Sequence, residues 1–433
     1  MSVTNEERVG LPPLSASKRA TWDRYRIEFL ADGYPGRRSE GAVLPHPAYG
    51  TYVIGDYVAQ YRQTHDRSFL AAAARVADAA VDRMETLEDG LVLRYKPYTG
   101  ASPASHDFYS ALTQSRYLAA LGQVDAATGD GRFAEAGEAI LRSLTLSADQ
   151  GGVARQTPSG YLVIEEYSRT QPEYAFSGWA TATTLIHEYA ESTGSDEARE
   201  VARDSTRGIA EMLPLYDVPE VANSRERLSG QAHLRLSFQN PGARVLAAWI
   251  DMPHQGHFPV EQSGDVHGPN HWVSGVEEDG RLERTTAALN VNLCRVIWPS
   301  PHSMHFEVDV PGHSRYALKI GDGKYDPLTS TLPVEDWAVV VRGDLQRGRN
   351  VLDIPVPWHQ ADLVAYPTSF GRVIDGKHHN VHHFTHVDLL RKLHRTSPHP
   401  MLEYYHHRWA SYPQRWAFLP EYQTDISLER LGK

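Results

Sequence analysis

The sequence predicts an α+β multidomain chain: an incomplete α/α toroid of helical hairpins with an inserted antiparallel β-sandwich domain. Three observations predict it. Four short polar breaks, each opening on Thr, separate pairs of amphipathic segments: THDRSFL (64–70), TGDGRFA (128–134), TGSDEAR (193–199) and TSPHPML (396–402). The first three start 64 and 65 residues apart (128 − 64 and 193 − 128), and the fourth starts 203 residues after the third (396 − 193). Removing one repeat of 65 leaves 138 additional residues, and these read as strands.

Each element follows in order. Residues 1–45 are rich in Pro, Gly and Arg and read as an arm over the helical part. Residues 46–228 hold the first three hairpins. Gly or His after a first helix, then Asp or Ser before the second, is stop-and-start chemistry for helices. Residues 151–167 carry a TPSG turn between two short apolar runs, which predicts a protruding β-hairpin. Residues 229–376 alternate in strand fashion through AHLRLSFQ (232–239), RVLAAWIDM (244–252), MHFEVDV (304–310), YALKI (316–320), WAVVVRG (337–343) and VLDIPVP (351–357). Gly321-Asp322-Gly323 reads as a hairpin turn there. Residues 377–433 supply the closing hairpin.

Composition narrows the partners. A net charge of −11 argues against nucleic acid, and any polyanionic ligand would need a local basic cleft. No stretch of about 18 apolar residues is present, so no membrane partner is expected. The single cysteine, Cys294, allows no intrachain disulfide. The N-terminal stretch has no apolar core of the secretory kind, and a cytoplasmic location is the expectation. No phosphate-binding loop, nucleophile elbow or dinucleotide fingerprint occurs, so no cofactor is expected.

The most informative stretch is YLVIEEYSRTQPEYAFSGW (161–179). It sets Glu165, Glu166 and Tyr167 at the end of a hairpin strand that runs through a proline turn into a helix. Carboxylates packed among aromatic rings suit proton transfer, because partial desolvation moves their pKa toward neutrality. A solvated pair of glutamates at a strand end is the plainer alternative. Arg116, Arg155 and Arg227 fall in segments expected to line the same cleft and could grip a carboxylate bidentately; ordinary surface arginines would look the same. The segment KHHNVHHFTHVDLL (377–390) pairs His379 with His383 and His382 with His386 at i,i+4 spacing, but no carboxylate or cysteine within it completes a ligand set. His254, His257, His267 and His271 invite the same question more weakly. No metal site is expected.

The EEY stretch, its aromatic helix start with SG, and EMLPLYD (211–217) together resemble the glucuronyl C5-epimerase family. DFYSALTQSRYLAAL (107–121) is similar to that family's helix opening, with Tyr109 and Gln114 at its aromatic and glutamine positions. THVDLL with HHRWASY (385–390, 406–412) is similar to its closing hairpin. The resemblance implies a toroid with β parts that inverts C5 of glucuronate within a polysaccharide. It implies that Glu166 and Tyr167 sit at the reaction centre. Two family tyrosines are replaced, by Ser224 and His382, while Arg227 and His383 match; the family's Asn-Gly becomes Ser177-Gly178. A histidine can carry a proton near neutral pH and a serine cannot. The catalytic set expected is therefore Glu166, Tyr167 and His382, with Tyr109, Gln114, Arg116, Glu165, Tyr174, Arg227 and His383 around the substrate. The partner expected is a uronic-acid glycan, and a homodimer is a compatible assembly. A lyase sharing the same C5 abstraction, a non-catalytic glycan-binding protein and a glycoside hydrolase are the alternatives.

Overall fold

A computed structural model describes residues 5–39, 41–96, 107–169, 171–261, 270–277, 279–295, 301–322, 336–356, 370, 372–422 and 426–430. His267 and Gly323 lie outside the described residues. The chain mixes helices and sheets and divides into two compact units. One comprises Met1–Gln156, Gly160–Arg169 and Gly178–Ile209; the other comprises Thr157–Ser159, Thr170–Ser177 and Ala210–Lys433.

All four polar breaks separate helices. The pairs are Tyr49–Thr64 with Arg67–Val81, Ala111–Thr128 with Ala134–Thr145, Phe176–Thr193 with Asp196–Tyr216, and Val381–Thr396 with Pro400–Ser411. The stops are local chemistry. His65, Gly129 and Gly194 take left-handed φ values of 57°, 74° and 76° just past a helix end, where glycine carries no steric penalty. Asp66 then caps the next helix, accepting from the Ser68 amide at 2.9 Å.

In the first unit the arm forms a three-stranded antiparallel sheet of Ile27–Phe29, Pro35–Ser39 and Ala42–Pro45. Arg75 fastens it to the helix Arg67–Val81 by donating to the carbonyls of Val9, Ala31 and Asp32. The expected hairpin is present. Ala154–Gln156 pairs with Leu162–Ile164, with Arg155 opposite Val163.

The second unit contains two antiparallel sheets. The larger runs His271–Ser274, Thr286–Cys294, Ser229–Phe238, Ser314–Asp322 and Asp336–Leu345; the smaller runs Gly256–Pro259, Arg244–Met252, Ser303–Val310 and Gly348–Pro355. Every strand expected from alternation overlaps one of these; the runs 232–239 and 351–357 extend one and two residues past the observed strand ends, and residue 357 lies outside the described residues. The buried residues alternate as the pleat requires, with Leu234, Leu236 and Phe238 in one sheet and Met304, Phe306 and Val308 in the other. Trp272 of the larger sheet meets Phe306 of the smaller, ring centroids 6.4 Å apart. The closing hairpin is held in this same unit by Asp217, whose carboxylate accepts from Arg408 Nε at 2.8 Å, Trp409 Nε1 at 2.9 Å and Tyr412 Oη at 2.7 Å.

Candidate functional site

The expected residues fall in two groups, one in each unit. In the first, the end of the strand Leu162–Ile164 turns the two adjacent glutamates to different surroundings, as the period-two geometry of extended chain dictates. Glu165 is buried, and its Oε1 lies 3.2 Å from Arg155 Nε. Arg155 also donates to the Arg169 carbonyl. That arginine therefore serves an internal ion pair, and Glu165 is a structural anion rather than a ligand for substrate.

Glu166 is only half-buried. Its carbonyl accepts from the Ala111 amide at 2.9 Å, pinning the strand end to the start of the helix Ala111–Thr128. Its side chain lies against Gly178, in the first turn of Phe176–Thr193. The positive end of that helix favours the ionised carboxylate. Tyr167 stands beside it, edge-on to Phe108 at 5.4 Å, with the Arg169 guanidinium 5.0 Å from its ring centre. Phe108 stacks on Tyr95 at 5.0 Å. Burial raises the Tyr95 pKa; the Thr113 hydrogen bond and the charges of Arg116 and Glu166 act on the same hydroxyl. Arg116 donates to Tyr52 Oη at 2.7 Å. Glu166, Tyr167, Tyr95 and Arg116 thus share one half-buried aromatic setting. Tyr95 was invisible in the sequence, where it is one tyrosine among 22.

Two expected substrate contacts of this unit are core residues instead. Tyr109 is fully buried and donates its hydroxyl to the Ser143 carbonyl at 2.8 Å, and burial pushes its pKa well up. Gln114 is also fully buried, and its amide finds no hydrogen-bond partner among the described residues.

In the second unit, Asn380 caps Val381–Thr396 by accepting from the His383 amide. The helix then presents three histidines to residues 224–226. His382 is half-exposed, with Nδ1 3.1 Å from Glu226 Oε2. His386 is buried, with Nε2 2.6 Å from the same oxygen and Nδ1 2.8 Å from Ser224 Oγ. His383 is buried, with Nδ1 2.7 Å from Ser224 Oγ and Nε2 donating to the Trp409 carbonyl at 2.9 Å; burial pulls its pKa down to about 3. Ser177 Oγ donates to Glu226, 2.5 Å from each carboxylate oxygen. Burial alone would raise the Glu226 pKa, but the hydrogen bonds and charge of His382 and His386 hold it well below the usual carboxylate range.

His383 therefore supports the site from within the core rather than touching substrate. Tyr174 is likewise buried, at a left-handed φ of 51°, with its carbonyl accepting from Tyr216 Oη. Arg227 is exposed. The His382/His386 pair was visible from its spacing, but its partners Glu226 and Ser177 were not. Glu226 appears in the sequence only as a glutamate inside NSRERL, 156 residues before His382 (382 − 226).

Residues 88–225 match the family described as the D-glucuronyl C5-epimerase C-terminus. The match supports the resemblance of this segment to that epimerase family. The segment contains Glu165, Glu166, Tyr167 and Ser224 and stops one residue short of Glu226. An uncharacterized protein of Methanocaldococcus jannaschii is 27% identical over 116 residues, which are 26% of this chain and 38% of that protein. The chain thus spans well under half the length of the curated relative it matches. Among solved structures, a sugar epimerase from a ruminal bacterium overlaps 52% of this chain and 58% of its own at 11% identity and a TM-score of 0.36. An α-mannanase of Bacteroides thetaiotaomicron overlaps 48% and 56% at 8% identity and a TM-score of 0.34. An α-1,6-mannanase of Salegentibacter overlaps 56% and 56% at 13% identity and a TM-score of 0.34. Overlaps this loose carry no mechanistic information. Among the described residues, no helix is long and apolar enough to cross a membrane.

Proposed function

We propose that this protein is a carbohydrate-active enzyme that removes the C5 proton of a uronic acid residue within a glycan, in the manner of a glucuronyl C5-epimerase. The observation that carries the reading is Glu166. It lies in the segment that matches the family, and it is half-buried among aromatic rings while its neighbour Glu165 is spent on Arg155. Glu166 is the base that takes the C5 proton, which the sugar's own carboxylate acidifies. Tyr167 stabilises the enolate-like charge by hydrogen bonding, and Arg116 attracts the substrate carboxylate. Inversion then needs a second proton carrier on the opposite face of the ring.

A lyase is the second reading, and one observation favours it. The hydroxyl of Ser224, which stands where the family has a tyrosine, is engaged by His383 and His386. It cannot return a proton. With one face served, the proton that Glu166 takes from C5 can pass to the departing 4-oxygen, so elimination needs no second carrier.

Proton NMR of uronate polysaccharides incubated with the protein in D2O tests both. Deuterium at C5 with inversion supports the epimerase, and unsaturated chain ends support the lyase. Intact, unlabelled glucuronate, galacturonate and mannuronate polymers would overturn the proposal.

A further inference from the structure

The hydrogen bonds around Ser224 and Trp409 orient two buried imidazoles. The Trp409 carbonyl takes His383 Nε2 at 2.9 Å, and Ser224 Oγ lies 2.7 Å from His383 Nδ1 and 2.8 Å from His386 Nδ1. The other nitrogen of His386, Nε2, is thereby aimed at Glu226, 2.6 Å from its Oε2. His382 Nδ1 approaches the same oxygen at 3.1 Å. One carboxylate oxygen therefore meets two imidazole nitrogens from one helix face.

We propose that Glu226, His382 and His386 form a binding site for a divalent transition-metal cation of the Zn²⁺ class. Their ligand atoms all lie within 4.8 Å of one another. Two imidazoles four residues apart on one helix face, joined by a carboxylate from elsewhere, suit Zn²⁺; Ca²⁺ and Mg²⁺ prefer all-oxygen sets. Tetrahedral bonds of about 2.0–2.1 Å set ligand atoms roughly 3.3 Å apart, so His382 already stands near its place and Glu226 must swing slightly from His386. Ser224, His383 and Trp409 form the outer shell that orients the His386 ring. The half-exposed His382 gives the ion a route from solvent. The site stands on these residues alone, independent of the reaction proposed above.

The test uses the full chain, stripped with chelator and titrated with Co²⁺ alone, then with Zn²⁺. The expected result is one Co²⁺ per chain with visible d–d absorption, bleached by one equivalent of Zn²⁺. Glu226→Gln and His382→Ala should each weaken binding at least about 100-fold. Ser224→Ala should weaken it about 10-fold through the outer shell. His407→Ala, at an exposed histidine outside the cluster, should change nothing. His382→Ala guards against misfolding, because that side chain is half-exposed. Absence of Co²⁺ and Zn²⁺ binding, or affinity unchanged in folded Glu226→Gln and His382→Ala, overturns the site and leaves a proton as the shared cation. Because no sugar is present, a failed NMR experiment and a failed titration are separate results.

Discussion

A β-carbon added to Gly178 would lie 2.9 Å from Oε2 of Glu166, and equally close to its Cβ and Cγ. The absence of a side chain at one position thus shapes the carboxylate at the other. In an ordinary helix, glycine to alanine stabilises by about 0.5–1 kcal/mol. Here Gly178→Ala should displace Glu166 and cut turnover by about 10- to 100-fold, since misplacement of a base by about 1 Å has that effect. Thermal melting should shift little. Full activity in a folded Gly178→Ala protein would remove Glu166 from the chemistry.

The adjacent glutamates should fail differently. Glu166→Gln should lower turnover by about 10²-fold or more with near-normal stability, as for a lost general base. Glu165→Gln should leave the Arg155 charge buried without its partner and cost about 3 kcal/mol of stability. Denaturant melts beside C5-exchange rates separate the two, and a swapped pattern would reverse the roles given to them.

His46 should impose a pH-dependent loss of stability. Burial, then the Arg37 charge, pulls its pKa down to about 4, and its Nδ1 accepts from the Ala48 amide. The unfolded chain binds a proton near pH 6.5, where an unperturbed histidine titrates. Its contribution is complete above pH 6.5 and is lost as pH falls toward 4, because there the unfolded state binds more protons. Melting temperatures between pH 4 and 7 should therefore slope less steeply for His46→Gln than for the parent. Parallel slopes would assign the acid sensitivity to other histidines.

Legibility followed the range of the forces. The helix breaks were readable because a stop at Gly129 or a cap at Asp66 is decided within a few residues. The strands were readable because one buried face enforces alternation along each. The orientation of Tyr109 was not, since its hydroxyl partner is the carbonyl of Ser143 on the next helix. Arg155 looked like a substrate clamp because nothing local shows that strand pairing sets it beside Glu165. The Glu226 cluster was hidden for the same reason: an i,i+4 histidine pair announces itself, but the carboxylate that completes it arrives from the bend between the strands Asn223–Ser224 and Ser229–Phe238.

Ser224 also sets a limit on what its own position can hold. Its small hydroxyl sits between His383 and His386, within 2.8 Å of a ring nitrogen of each. A tyrosine placed there would have to evict both rings from a core already filled by Phe176, Trp409 and Trp416. A phenol at 224 and the two imidazoles are therefore mutually exclusive occupants of one volume, and the position admits one arrangement or the other but not a blend of both.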